Sequence, residues 1–319
     1  MSDPDARWLA AAACLAERAR PLSRPNPAVG AIVANDGIVL GRGWTQPGGR
    51  PHAEAMALAQ AGGEARGATL YVTLEPCAHR GERGPACADL AGDAGLARAV
   101  IGVEDPDPRT AGQGIGRLRS AGVDVALADD PTCRASLAGH LARAREKRPF
   151  VTLKLALTAD GFVARKDGSS KWITGEIARA HAHRERARSD AILVGGRTLR
   201  IDQPRLDVRL PGLEERSPRR LVLTKGAAPE GWQALASPEA VRELDARYLL
   251  VEGGADVADA FLSAGLVDRL LLYRAAAEFG DGIPAFRNRA LPAGWHLDDR
   301  RCLGSDTLEV YIRGEAQGA

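Results

Sequence analysis

His52-Ala53-Glu54, Glu75-Pro76-Cys77 and Cys87 carry the strongest chemical signal in the chain. One imidazole and two thiolates are the three protein ligands a catalytic zinc takes, and such a site keeps its fourth position for water. The metal brings the pKa of that water toward neutrality. Exchanging a ring amino group for oxygen also needs a proton shuttle beside the metal that is not itself a ligand, which suits Glu54. Taken singly, His52 would be a helix-start histidine and the cysteines small buried hydrophobes. In combination each piece falls at an element boundary: His52 and Glu54 open a helix that follows a hairpin, and Cys77 ends a strand. A second feature lies far downstream, where Glu252-Gly253-Gly254 ends a strand and a helix begins near Ala255. Free N–H groups at a helix start bind phosphate, and glycine allows close approach, although an ordinary strand-to-helix turn reads the same way. No G-x-G-x-x-G follows a strand; Gly112-Gln-Gly114-Ile-Gly116 has the wrong spacing.

These residues need elements to hold them. The chain of 319 residues is long enough for two domains. With 45% hydrophobic and 26% charged residues it reads as globular and not disordered. A net charge of +2 leaves no basic face for nucleic acid or anionic membrane. No apolar run is long enough to span a bilayer, and Asp3, Asp5, Glu17, Arg18 and Arg20 argue against a signal peptide, so a cytoplasmic enzyme is the expectation. Five cysteines are an odd number for a disulfide framework, and those near His and Glu favour metal. Helical patterns cover 6–20, 52–60, 88–94, 115–122 and 136–145; strand patterns cover 28–34, 38–44, 69–76, 98–105 and 123–127, with Asn35-Asp36-Gly37 as a hairpin turn. The basic stretch Arg143–Arg148 and Pro149 read as a linker. A second α/β pattern follows: strands at 151–158, 161–164, 191–196, 220–224, 247–254 and 269–276, helices at 176–188 and 255–265, and 307–313 as an edge or half-buried strand.

The H-x-E … P-C … C pattern resembles that of the zinc deaminases. Nucleoside and tRNA deaminases of this signature space the cysteines as C-x-x-C, whereas residues 78–86 separate Cys77 from Cys87 here. That wider spacing, with PNPAVGAIV (25–33), PHAEAMAL (51–58), GATLYVTLEPCAH (67–79) and the run 105–125, is similar to the deaminase half of the bifunctional riboflavin-biosynthesis deaminase–reductase family. LKLALTADGFVA (153–164), SSKWITGEIAR (169–179), 190–209 and 249–268 resemble its reductase half. The resemblance implies an α/β protein. Residues 1–146 would form a cytidine-deaminase-like α-β-α sandwich with zinc, and 149–315 an NADPH-dependent, dihydrofolate-reductase-like α/β domain. It implies deamination of 2,5-diamino-6-(5-phosphoribosylamino)pyrimidin-4(3H)-one followed by reduction of the ribosyl side chain to ribityl. The cofactors would be Zn2+ and NADPH, the partner a small phosphorylated pyrimidine, and the assembly a homo-oligomer of two copies or more.

Residue by residue, the resemblance makes His52, Cys77 and Cys87 the metal ligands and Glu54, Lys154 and Glu252 the catalytic groups. NADPH contacts fall on Leu157, Trp172, Thr198, Asp202 and Gly254, and substrate contacts on Asn26, His79, Asp105, Ser170, Arg186, Leu206 and Arg209. Arg186 and Arg209 could clamp the ribose phosphate, since guanidinium meets phosphate bidentately. Lys154 and Glu252 could polarise and protonate the opened sugar. Three departures stand out. The loop between the cysteines is longer, leaving Arg80 and Arg83 as alternative phosphate contacts. Asp107 stands where the family has Asn. The stretch from Leu221 to Glu252 is short, as if an αβ unit had shrunk. The last departure keeps open a deaminase with a weakened reductase. Another zinc nucleoside or tRNA deaminase, and a structural zinc module closed by His79, are the other readings.

Overall fold

The computed structural model describes residues 2–79, 84–167, 173–286 and 290–314. The chain divides into two units, Met1–Glu146 and Lys147–Ala319.

The first unit runs α1 (Asp3–Ala16), β1 (Gly30–Asn35), β2 (Ile38–Trp44), α2 (Ala53–Ala61), β3 (Thr69–Leu74), α3 (Cys87–Asp93), β4 (Arg98–Val103), α4 (Gln113–Ser120), β5 (Asp124–Leu127), α5 (Pro131–Ser136) and α6 (Ala138–Glu146). Its sheet has the order β2-β1-β3-β4-β5. The β1–β2 hairpin turns through Asp36 and Gly37, both at positive φ, so the Asn-Asp-Gly signal is used as written. β3 and β4 pair in parallel and are almost wholly buried, which their unbroken apolar sequences require. Two glycines show how the layers meet. A Cβ at Gly30 would stand 1.9 Å from the Ala12 carbonyl oxygen of α1, and one at Gly41 would stand 2.0 Å from that of Ala57 in α2. Gly41 pairs with Val33, an odd number of positions along β1 from Gly30, so the two helices lie on opposite faces. The result is an α-β-α sandwich. α1 is pinned by a Ser2–Asp5 capping box, and the buried Asp5 carboxylate is gripped by Arg98 at 2.8 and 3.1 Å.

The second unit runs β6 (Phe150–Leu157), β7 (Phe162–Ala164), α7 (Glu176–Ala187), β8 (Ala191–Gly195), α8 (Gly196–Asp202), β9 (Arg219–Leu223), β10 (Gln233–Leu235), β11 (Tyr248–Glu252), α9 (Ala255–Ser263), β12 (Arg269–Arg274), β13 (Ile283–Pro284), β14 (Trp295–Leu303) and β15 (Asp306–Arg313). The main sheet has the order β10-β9-β8-β11-β6-β12-β15-β14, parallel as far as β12 and antiparallel beyond. Leu270 and Leu272 pack with α9, while Leu271 and Tyr273 pack with Ala178 and Ala182 of α7, so the two helices cover opposite faces. β7 and β13 form a separate two-stranded ribbon.

Three features depart from the sequence reading, and the shortened stretch before β11 agrees with it. The strand at 307–313, read as an edge or half-buried strand, is half-buried and interior, and the edge is the unread β14, whose sequence WHLDDRRCL carries no apolar run; it is held by pairing to β15. α8 forms directly after β8, where no helix was read. The short stretch before β11 keeps a three-residue strand, β10, with a 3-10 turn over Pro238–Glu243 in place of a helix. Arg148, read as linker, is buried and grips Asp268 at 2.6 and 2.7 Å.

Candidate functional site

In the first unit, His52 caps α2, Cys77 follows the end of β3 and Cys87 opens α3. Their ligand atoms lie within 4.8 Å of one another. His52 Nδ1 is 3.3 Å from Cys87 Sγ and 3.6 Å from Cys77 Sγ, and the Cys87 backbone N–H donates to Cys77 Sγ at 3.3 Å. Cys87 and His52 beside it hold the Cys77 thiol well below the ordinary thiol range, while Cys77 and burial push Cys87 up. An ionised sulfur, a second sulfur and an imidazole fit a zinc-type cation. Among the described residues no fourth His, Cys, Asp or Glu joins the cluster; His79 is exposed. Glu54 is buried in the first turn of α2; burial raises its carboxyl to about 7 against the pull of His52, and it meets the Cys87 side chain. Asn26 Nδ2 lies 2.8 Å from His52 Nε2 and donates to the Gly49 carbonyl at 2.8 Å. Arg80 and Arg83 fall outside the described residues.

Glu75 positions this centre without joining it. Its buried carboxylate accepts from the backbone N–H groups of Asp105, Gly112 and Ile115 at 3.3, 3.0 and 3.0 Å. The glycine-rich loop is thereby drawn under Pro76, where a Cβ at Gly114 would meet the Pro76 carbonyl oxygen at 2.1 Å. Asp105 is committed to the protein: Oδ1 accepts from the Asp107 N–H and lies 3.0 Å from His140 Nε2 on α6. Asp107 pairs with exposed Arg109, which holds its carboxyl down at about 2.

In the second unit, Lys154 and Glu252 are register partners on β6 and β11, with Nζ 3.9 Å from Oε2. Arg186 of α7 meets both Glu252 oxygens, Nε at 2.6 Å and Nη2 at 2.9 Å, and donates from Nη1 to the Asp207 carbonyl at 3.1 Å. Burial alone would raise Glu252, but Arg186 and Lys154 overcome it and hold the carboxyl at about 2. Burial lowers Lys154. A cavity of about 190 Å³ opens here, lined by Lys154, Arg179, His183, Arg186 and Arg209 among others. Sequence reasoning missed Arg179 and His183; their spacing of i and i+4 with Arg186 at i+7 was the available signal.

A second cavity of about 320 Å³ takes in Thr198, Asp202 and Gly254, together with Gly195 and Gly196, which the sequence reading did not single out. It is bordered by the first turns of α8 and α9. A Cβ at Gly195 would stand 2.6 Å from Val257 Cγ2, and one at Gly253 would stand 2.8 Å from Val257 Cβ, so the packing of α9 on these two strand ends needs glycine at both positions. Free N–H groups and absent side chains suit a dinucleotide phosphate. Leu157 and Leu206 are instead buried in apolar clusters, Leu206 at φ 54°. Ser170 and Trp172 lie outside the described residues.

Comparison with known proteins gives two family matches, the cytidine and deoxycytidylate deaminase zinc-binding region over residues 2–103 and the RibD C-terminal domain over 149–308. The riboflavin biosynthesis protein RibD of Corynebacterium ammoniagenes is 41% identical, covering 83% of each chain. That of Escherichia coli K12 is 37% identical, covering 86% of this chain and 89% of its own. Among solved structures, a Thermotoga maritima protein described as a diaminohydroxyphosphoribosylaminopyrimidine deaminase/5-amino-6-(5-phosphoribosylamino)uracil reductase superposes with TM-score 0.85 at 30% identity, covering 97% of this chain and 98% of its own. Acinetobacter baumannii RibD gives 0.84 at 31%, with 98% and 99% covered.

Proposed function

The chain belongs to the RibD family of bifunctional riboflavin-biosynthesis enzymes, a zinc-dependent deaminase and an NADPH-dependent reductase in one polypeptide, and from that premise we propose how its residues divide the work. The observation that carries the reading is the His52–Cys77–Cys87 trio with the buried Glu54 carboxyl beside it.

In the first unit, His52, Cys77 and Cys87 hold zinc. Zinc held there would supply an activated water for attack on the amino-bearing ring carbon. Glu54, buried beside the trio, is placed to accept a proton from water and to return it to the departing amino group, and its raised pKa near 7 suits a group that must do both. The substrate is 2,5-diamino-6-(5-phosphoribosylamino)pyrimidin-4(3H)-one, the products ammonia and the corresponding uracil. Asn26, beside His52, is placed to orient the ring. Asp105 and Leu206, committed to protein partners and packing, act on their loops.

In the second unit the larger cavity takes NADPH, with Thr198 and Gly254 at its phosphate-binding border and Asp202 in its wall. NADPH held there would supply the hydride that reduces C1′ of the opened ribose. Lys154 Nζ donates the proton to the ring oxygen as the sugar opens; its lowered pKa makes it the readier donor, and Glu252 keeps it aimed. β11 ends between the two cavities, with Glu252 on Lys154 and Gly254 at the cofactor border, so reductant and sugar meet across one strand end. No helix among the described residues is long and apolar enough to cross a membrane. Work in the cytoplasm and association of two or more copies complete the proposal; sedimentation of the purified chain tests the latter.

The decisive experiment is an assay of the purified chain on the diaminopyrimidine phosphate with and without NADPH. Ammonia release without NADPH, and NADPH oxidation only once deamination has occurred, are expected. Deamination with no NADPH oxidation would support the weakened-reductase reading. No ammonia release from a zinc-loaded chain would overturn the first assignment.

A further inference from the structure

Two groups among the described residues hold the Lys154 ammonium. One is Glu252, whose Oε2 at 3.9 Å is beyond hydrogen-bond length; the other is the ring of Tyr273, with its centroid 5.7 Å from Nζ. Neither takes a hydrogen bond from the ammonium, so its three N–H donors are left for a substrate in the cavity that Lys154 lines. The register explains the contact. Leu271 of β12 pairs with Lys154 of β6, and Tyr273 is two positions further along β12, on the same face of the sheet. There Tyr273 is buried against Ala178 and Ala182 of α7. Its Oη lies 2.8 Å from His181 Nδ1, and His181 Nε2 lies 2.7 Å from Arg184 Nη2. A guanidinium only donates, so Nε2 accepts, the imidazole proton sits on Nδ1, and Nδ1–H donates to Tyr273 Oη. α7 thus fixes the ring by its hydroxyl and leaves its face to the ammonium. The other groups around Lys154 are Arg179, His183 and Arg186 of α7 and Arg209 from the loop before β9, all in the cavity wall. On β12, Arg269 is turned to Glu185 instead.

We propose that Tyr273 is a positioning residue of the reductase: its ring face holds the Lys154 ammonium beside Glu252 without taking a hydrogen bond, which leaves the N–H donors to the substrate. The inference rests on reading Lys154 as the proton donor of the reduction. A carboxylate or hydroxyl in the same place would hold the amine by occupying a donor; a π face attracts the charge and occupies none.

The test uses the full zinc-loaded chain with the deaminated pyrimidine phosphate and NADPH, and reads the alkaline limb of kcat. Arginine keeps its charge throughout, while burial pulls His183 down and pushes the Tyr273 hydroxyl well above its usual range, so Lys154 sets that limb. The ring face favours the charged amine, and its loss therefore brings the limb down. Tyr273→Leu lowers kcat about fivefold near neutral pH and moves the limb down by about half a pH unit, with KM for NADPH unchanged. Tyr273→Phe keeps the ring and restores both. Phenylalanine, difluorophenylalanine and pentafluorophenylalanine in place of Tyr273 keep the ring's shape while drawing negative charge from its face, and the limb falls stepwise along that series. A limb that does not move along the series overturns the proposal, as does Tyr273→Phe behaving like Tyr273→Leu. If Tyr273→Leu fails to fold, the fluorinated series decides. If the wild type oxidises no NADPH, or Lys154→Met keeps the alkaline limb, the donor reading fails separately. The amine nitrogen resonance of Lys154, assigned by its loss in Lys154→Met, then decides the ring contact: a titration midpoint that falls along the series supports it, and one that stays fixed overturns it.

Discussion

Cys77 and Cys87 differ in what their neighbours do to them, and that difference makes them a ligand pair. Cys77 is held low by Cys87 and His52, and Cys87 is pushed up by Cys77 and burial, so one sulfur is already ionised and a bound cation would displace the proton of the other. Cys77→Ser and Cys87→Ser are each expected to lose the zinc, about one per chain in the wild type, as read by elemental analysis. Glu54→Gln should keep the metal and drop deamination by ~10²–10⁴-fold, while NADPH oxidation with the deaminated substrate survives. Loss of metal in that variant would make Glu54 a ligand and not a shuttle. At the same scale the structure shows the protein partners these carboxylates hold. Asp105, a substrate contact in the sequence reading, spends Oδ1 on His140 and the Asp107 N–H, and Glu75 of the Glu-Pro-Cys motif spends its carboxylate on three backbone donors.

Elements matter here through how closely backbones approach. α4 begins under Pro76 because Glu75 satisfies its first N–H groups, a capping role supplied by a distant carboxylate. Gly114 has no room for a methyl group, whereas Gly116, two positions on in the same helix, faces open space. Gly114→Ala should therefore cost about 1–3 kcal/mol and weaken zinc retention by displacing the Cys77 segment. Gly116→Ala should be neutral or stabilising by about 0.5–1 kcal/mol. Denaturant midpoints and zinc content of the two variants make the comparison; equal effects would refute the close-contact account. In the second unit, β10 and its 3-10 turn stand in for a full αβ crossover, yet Leu235, Val241 and Leu244 still join the core. Leu223 at the end of β9 also lines the larger cavity.

For the whole molecule, the separation of the two chemistries gives its own prediction. A chelator should abolish ammonia release and leave NADPH oxidation with the deaminated substrate intact; loss of both together would mean that zinc supports the reductase as well. Stability should also fall on mild acidification. Burial pushes His181 down to about 4, with Glu185 opposing and Arg184, Arg301 and Arg269 assisting, and its Nδ1 lies 2.8 Å from the Tyr273 hydroxyl. The unfolded chain takes up this proton near pH 6.5 and the folded one only near 4. The stabilising contribution is therefore complete above pH 6.5 and is lost progressively as pH falls from there toward 4. His183 is shifted the same way by burial, Arg186 and Arg209. The loss of melting temperature between pH 7 and pH 5 should be smaller in His181→Asn than in the wild type. An unchanged difference would show that His181 does not contribute.

From the sequence alone His52, Cys77, Cys87 and Glu54 stood out as a candidate metal site, and so did the order of most helices and strands apart from α8, β10 and β14, because those signals are local: residue type, a fixed spacing and the element boundaries they fall on. His52, Glu54 and Cys87 each stand at a helix start, and Cys77 just past a strand end, whatever the rest of the chain does. β14 was illegible for the complementary reason, since nothing in WHLDDRRCL favours a strand until β15 offers it a ladder. Only the tertiary structure decided which of several plausible partners each charged group takes. Arg186 and Glu252 are sixty-six positions apart, and whether an arginine meets a carboxylate or waits for phosphate depends on the distance between a helix and a strand end. Coulomb energy depends on separation in space and burial, and neither is written in neighbouring residues.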